Sequence, residues 1–285
     1  MKNILITGVN SYIGNNVADW LNKDPEEYKI EKISLRTDEW KEKDFSKYDV
    51  VFHVAGIAHV SKDPNMKEKY YRVNRDLTIE IAKKSKNDVV NQFIFMSSII
   101  VYGDGHKNGL ITKDTIPKPN DFYGDSKLQA EKGIELLDND DFKVVIIRPP
   151  MIYGKESKGN YPKLAKIAKI TPIFPDFDNK RSMLHIDNLS QFIKLVIDNN
   201  ESGLFYPQNE EYVKTSEMVR IISESYGKKI KLIRMFNPFI DILKRRVGIV
   251  NKVFGNLFYK QSMSDYDKDN YQIRDLKESI KRTEK

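Results

Sequence analysis

The 285-residue chain has no cysteine, which excludes disulfides and any thiolate metal site. Its four histidines, at 53, 59, 106 and 185, are too scattered to form a metal cluster, so no metal is expected. No apolar run reaches the ~20 residues needed to span a bilayer. The N-terminus runs straight into a strand pattern and has no secretory signal, so a cytoplasmic protein is expected. Nor does any nucleic-acid-binding pattern occur, although the formal charge is +7. The 48 basic and 41 acidic residues are spread along the chain, which suits a lysine-rich soluble protein with basic clefts for phosphorylated ligands. Hydrophobic residues make up 40%, enough for a substantial core.

What the chain does have is alternation. Buried-strand patterns at 2–7, 30–35, 48–56, 91–97 and 143–148 are separated by helical stretches, among them 67–85 and a run opening at Tyr123. This order predicts an α/β fold, a Rossmann-type doubly wound parallel sheet, with a smaller C-terminal substrate-binding lobe. Residues 1–154 read as the dinucleotide-binding domain. Residues 155–263 read mainly as the substrate-binding lobe, with some segments free to return to the first domain. The mostly charged residues 264–285 read as a loosely held tail.

The first strand runs into Gly8-Val9-Asn10-Ser11-Tyr12-Ile13-Gly14, a turn that opens a helix. Backbone N–H groups and the positive helix end at such a turn face a phosphate, so Gly8, Ser11, Tyr12, Ile13 and Gly14 are cofactor candidates. Ser11 replaces the middle glycine of the three-glycine version. The second strand ends at Arg36, where a carboxylate would hold the 2′-hydroxyl of NAD. An arginine there can meet a 2′-phosphate, so NADP(H) is favoured, although Asp38 two residues on keeps NAD(H) open. The small residues after Val54, Ala55 and Gly56, let backbone approach a flat ligand. His53, inside an apolar strand, reads as a packed core histidine. Ser97 and Ser98 end the fourth strand, where open α/β sheets bind ligands. Tyr123 and Lys127 lie one helical turn apart on one face, a pair suited to moving a proton if the ammonium favours the phenolate.

Taken together, Thr7-Gly8-x-x-x-Tyr12-Ile13-Gly14, His53-Val54-Ala55-Gly56, Ser98-x-x-Val101-Tyr102-Gly103, Tyr123-x-x-x-Lys127 and Arg181-x-x-x-His185-x-Asp187 resemble the extended short-chain dehydrogenase/reductase family. Its members are sugar-nucleotide epimerases, dehydratases and reductases, and the resemblance covers about residues 2–230. It implies that Tyr123 is the general acid/base, that Lys127 tunes it and binds the nicotinamide ribose, and that Ser98 bonds the reacting oxygen. It further places Asp44, Phe45, Asn74 and Pro149 against the cofactor, and Asn160, Phe174 and Arg181 with Ser98 against a UDP-sugar. Family members commonly pair through a four-helix interface, so a homodimer is open.

Within the family, Arg148-Pro149-Pro150-Met151-Ile152-Tyr153-Gly154 departs from the Arg-Tyr-Phe-Asn stretch of UDP-galactose 4-epimerases. Together with His53-Val54-Ala55-Gly56-x-x-His59-Val60 and Asn179-Lys180-Arg181-Ser182 it looks more like bacterial 4-reductases of UDP-4-keto-6-deoxy-N-acetylhexosamines, which serve capsule and O-antigen synthesis. A UDP-hexose 4-epimerase with tightly held NAD and a non-catalytic dinucleotide-binding regulator are the alternatives. A last stretch, Lys244-Arg245-Arg246 beside Val247, Ile249, Val250, Val253, Phe254, Leu257 and Phe258, reads as an amphipathic helix. Packing on the small lobe is its favoured role, membrane contact the lesser one.

Overall fold

A computed structural model describes residues 1–57, 63–103, 107–244 and 246–285, without the side chains of Lys107 and Ile249. His59, Val60, His106 and Arg245 lie outside the described residues. The first half alternates as the sequence predicts: β1 (Lys2–Thr7), α1 (Tyr12–Leu21), β2 (Tyr28–Ile33), a short α2 (Glu39–Glu42) and β3 (Val50–His53). The helix expected over 67–85 is continuous but composite: α3 (Lys67–Tyr70), a π-helical turn at Tyr71–Asp76, and α4 (Leu77–Asn87). Then come β4 (Gln92–Met96), a short β5 (Leu110–Ile111), α5 (Phe122–Glu135) and β6 (Lys143–Ile147).

The second half supplies β7 (Met151–Tyr153), α6 (Asn160–Ile170), β8 (Ile173–Pro175), β9 (Met183–His185), α7 (Ile186–Asp198) and β10 (Gly203–Phe205). It continues with α8 (Thr215–Ser225), β11 (Lys231–Ile233), α9 (Asn237–Leu243), α10 (Gly248–Phe254), β12 (Phe258–Tyr259) and α11 (Leu276–Glu284). Ile173–Pro175 pairs as β8 with β11, in parallel.

Six strands form one parallel sheet in the order β10-β6-β4-β3-β1-β2. Both faces are covered, so the central strands β3, β4 and β6 are mostly apolar and their residues divide by the period of two, while the edge strand β2 carries Lys29, Glu31 and Lys32. Ile4, Ile6, Phe52, Ile94, Met96, Val145 and Ile147 face the layer of α1 and α7. Leu5, Val51, Phe93, Phe95, Val144 and Ile146 face the layer of α4 and α5. The strand order reverses between β1 and β3, which opens a crevice over the carboxyl ends of those two strands.

His53 closes β3 in full burial, as expected of a packed histidine. Its Nδ1 lies 2.9 Å from Thr7 Oγ1 and its Nε2 3.0 Å from Thr78 Oγ1. Burial holds the imidazole down at about 3, with the Lys127 charge adding to it. The folded protein therefore carries this histidine neutral, and the stability it contributes is complete above the unfolded value of ~6.5 and lost as pH falls toward 3. Melting temperature should accordingly drop between pH 6.5 and 4.5, and the slope should flatten in His53→Gln. An unchanged slope in the variant would remove His53 from the acid sensitivity.

The C-terminal residues are not the loose tail that their charge suggests. Tyr271 packs into the core beside Phe192, and Leu276 and Ile280 of α11 are buried in the small lobe. Ser279 bonds the Tyr153 hydroxyl at 2.6 Å, and Arg274 and Arg282 reach Asp187 at the start of α7 at 3.3 and 3.0 Å. Charge dominates the composition, but a few apolar residues at helical spacing are enough to dock it. The single amphipathic helix read around 244–260 is also different: α9 and α10 are two short helices with a break between them. Val253 and Phe254 turn inward onto the small-lobe core and Leu257 onto the cluster around Tyr259, because their burial outweighs exposure to solvent.

Candidate active site

The crevice is built from backbone. Gly8 follows β1 at φ +89°, a conformation costly for side-chain-bearing residues, and a Cβ there would stand 3.3 Å from Ala55 Cα. Ser11 caps α1 by accepting the Gly14 N–H at 3.2 Å, which leaves the first-turn amides of Tyr12 and Ile13 at the helix end. Gly14 is buried between Ile6 and Val54. The Tyr12 side chain turns away toward Gly154, its hydroxyl buried and without a partner in the structure, so only its backbone serves the crevice.

Across the crevice, Asn74 is fully buried in the π-helical turn. Its Oδ1 accepts the Ile57 N–H at 2.8 Å, and its Nδ2 donates to Ile57 O and Ser126 Oγ, both at 3.2 Å. This clamp ties the end of β3 to α5. A Cβ on Gly56 would come within 3.0 Å of Asn74 Oδ1 and 3.4 Å of Lys127 Nζ, so the glycine opens a cradle between them.

Asp121 caps α5 by accepting the Gly124 N–H at 2.8 Å. Gly124 in turn lies so near Ile100 O that a Cβ would be 2.9 Å away, which draws the first turn of α5 against the loop after β4. That approach brings Tyr123 to Ser98, whose side chain hydrogen-bonds the phenol. Lys127 is 5% exposed; its Nζ donates to Met96 O at 2.8 Å and stands 4.5 Å from the centre of the Phe95 ring.

The electrostatics differ from the sequence expectation. Burial dominates at Tyr123 and pushes the phenol up to about 12, the Ser98 bond lowering it and Asp121 and Tyr70 raising it. Burial also brings the Lys127 ammonium down to about 8, with Glu131 opposing. The ammonium is turned to a carbonyl, and burial keeps the Tyr123 phenol protonated at neutral pH.

Behind these residues lies a charged network that motif reading missed. Arg148 and Glu131 form a buried ion pair, Nη2 to Oε2 at 2.6 Å and Nε to Oε1 at 3.0 Å. Ser97 donates to Glu131, Arg148 donates to the Tyr102 hydroxyl at 2.7 Å, and the Tyr259 hydroxyl donates to Arg148 O at 2.8 Å. The available signal was spacing, since Tyr123, Lys127 and Glu131 recur every four residues on one helical face.

Other predicted site residues sit elsewhere. Arg36 is exposed beyond the end of β2, with Asp38 nearby paired to Lys41 at 3.0 Å. Asp44 is exposed and accepts the Ser46 N–H at 2.8 Å. Phe45 corrects an expectation: its ring is fully buried beside Tyr48 and its N–H donates to Asp88 at 3.0 Å, so it supports the wall without facing the crevice. Phe174 is a second correction, its ring buried against Phe254 in the small-lobe core. Asn160 is exposed at the start of α6. Arg181 is half-buried, its N–H bonded to Val213 O and its Nη1 to Gly255 O, both at 3.0 Å. Pro149 is buried, and its carbonyl accepts the Ile99 N–H at 2.9 Å, which steadies the loop carrying Ser98. Among the described residues no group of His, Asp and Glu could hold a metal ion.

A doubly wound sheet with a glycine turn at its switch point, and a serine, tyrosine and lysine beside it, defines a dinucleotide-dependent class of protein. Residues 4–213 match the NAD dependent epimerase/dehydratase family, and the chain belongs to it. The chain is 32% identical over 253 residues to a UDP-glucose 4-epimerase of Vibrio cholerae, covering 80% of this chain and 76% of the relative. It is 25% identical over 281 residues to the N-acetyl-alpha-D-glucosaminyl-diphospho-ditrans,octacis-undecaprenol 4-epimerase of Escherichia coli O157:H7, covering 92% and 83%. The fold is shared with UDP-glucuronic acid 4-epimerase from Bacillus cereus in complex with NAD, at a TM-score of 0.74, 18% identity, and 98% and 96% coverage. The cradle around Gly8, Ala55 and Gly56 fits a nicotinamide dinucleotide.

Proposed function

We propose that the protein reduces the 4-keto group of a UDP-4-keto-6-deoxy-N-acetylhexosamine with NADPH, in the cytoplasm and as a homodimer, toward a surface polysaccharide precursor. The observation that carries this reading is the donor arrangement: a protonated Tyr123 beside Ser98, with Lys127 turned to the Met96 carbonyl. Reduction needs an acid at the substrate oxygen, and a buried phenol is one. When bound, the dinucleotide supplies the hydride. Tyr123 gives its proton to the oxygen of the C4 carbonyl, Ser98 hydrogen-bonds that oxygen as charge develops, and water reprotonates the phenolate left behind. The Tyr12 and Ile13 amides at the start of α1 hold the diphosphate of the cofactor, and Arg181 and Asn160 are assigned to that of the substrate.

Arg36 supports NADP, since Asp38, the carboxylate that would select a 2′-hydroxyl, is drawn aside by Lys41. The purified protein should consume NADPH in proportion to product when given a 4-keto-6-deoxy UDP-sugar. In Arg36→Leu the preference for NADPH over NADH should narrow by about 1–3 kcal/mol, the size of a charge-assisted hydrogen bond. An unaltered preference would detach Arg36 from the cofactor.

A 4-epimerase is the second reading, favoured by the names of the Vibrio cholerae and Escherichia coli relatives. An epimerase keeps its reduced cofactor until hydride returns. NAD retained through purification, with UDP-glucose and UDP-galactose interconverting and no added cofactor, would replace the reductase reading by this one.

A further inference from the structure

Helix α9 buries Ile240, yet other large apolar side chains in and beside it are exposed. Met235, Phe239, Ile242, Leu243 and Val247 are 71%, 68%, 58%, 44% and 37% exposed. Phe239, Ile242 and Leu243 lie at i, i+3 and i+4 within α9, and Met235 and Val247 flank it. Five large apolar side chains exposed within one short segment form a patch that water alone does not favour.

The charge around the patch indicates what covers it. Between residues 228 and 260 the sequence has nine lysines and arginines against one acid, Asp241. Arg234, paired with Asp176 at 2.9 Å, precedes the patch, and Lys244, paired with Asp241 at 2.6 Å, and the exposed Arg246 follow it. Lysine is depleted at the centres of protein–protein interfaces. Apolar side chains ringed by flexible cations, whose stems lie along apolar surface while their heads reach outward, match the boundary of an anionic bilayer.

We propose that the outer face of α9 docks the small lobe on an anionic phospholipid membrane, Phe239 and Ile242 entering the headgroup boundary and the surrounding cations meeting lipid phosphates. Among the described residues no helix is long and apolar enough to cross a membrane, so the contact is peripheral. The proposal is independent of which sugar reaction the active site performs.

The test is flotation of the full-length protein with phosphatidylcholine vesicles, with and without phosphatidylglycerol, at low and at high salt. Binding should require phosphatidylglycerol and weaken with salt, each basic residue near the surface contributing to the attraction. The variant F239S/I242S should bind at least about tenfold more weakly, since it removes most of the inserted apolar area. Its melting temperature and nicotinamide binding should match wild type, because both side chains face solvent. Wild-type protein that ignores phosphatidylglycerol would overturn the proposal, as would a double variant that floats as well as wild type. A concentration-dependent dimer that F239S/I242S dissolves, with no flotation, would overturn it too and assign the face to a second copy of the chain.

Discussion

Tyr123→Phe is expected to lower turnover by about a thousandfold or more, within the range that a positioned proton donor contributes. The substitution removes only the hydroxyl that Ser98 engages and that would reach the substrate oxygen. Tyr123 is half-buried and its ring rests on Tyr70 at 6.4 Å between centroids, a contact that phenylalanine keeps. Melting temperature and dinucleotide affinity should therefore stay near wild type. Steady-state turnover with fluorescence titration of the cofactor checks both halves. A variant retaining a tenth of the activity would have lost only about 1.4 kcal/mol of barrier stabilisation, too little for the residue that supplies the proton.

The second large effect is on stability. Arg148→Met should cost about 3–5 kcal/mol, because it leaves the Glu131 carboxylate buried with its principal partner gone. For a protein of this size that lowers the melting temperature by roughly 10 °C. Replacing both members, as Glu131→Leu with Arg148→Met, should restore much of the loss, since a buried pair owes its cost to desolvation and an apolar pair avoids it. If the double variant is no more stable than Arg148→Met alone, then Ser97, Tyr102 and Tyr259 depend on the charges more than the pair depends on itself.

The parallel sheet was legible because its strands are apolar on both faces, and runs such as Ile4-Leu5-Ile6 have few other uses. The crevice was legible for a related reason: glycines at a strand end and a tyrosine–lysine pair one turn apart are local patterns. Phe45 and Phe174 were placed at the site by the family resemblance alone, and whether an aromatic ring faces a ligand or a core is decided by tertiary packing. The Glu131–Arg148 pair was hidden by distance along the chain, since the partners lie on different elements. Residues 264–285 show the opposite failure, where abundant charge concealed Tyr271, Leu276 and Ile280. The protonated state of Tyr123 was beyond sequence, because it depends on burial and on where the Lys127 ammonium points.

The path of the chain through its two lobes bears on how such proteins could be recombined. After β6 the chain leaves the sheet for β7, α6 and β8, returns with α7 beside α1 and β10 beside β6, and leaves again for α8 and β11. It comes back a last time when β12 pairs with β5 and Tyr271 enters the sheet-side core. No single cut separates the part that would hold a sugar from the part that would hold a dinucleotide. A chimera made by exchanging everything after residue 150 would import α7 and β10 along with the small lobe, and so would replace a wall of the sheet's own core. To carry one relative's substrate preference onto another's frame, the grafts must be discontinuous, taking 151–185, 206–260 and α11 together while leaving the strand and helix between the first two in place.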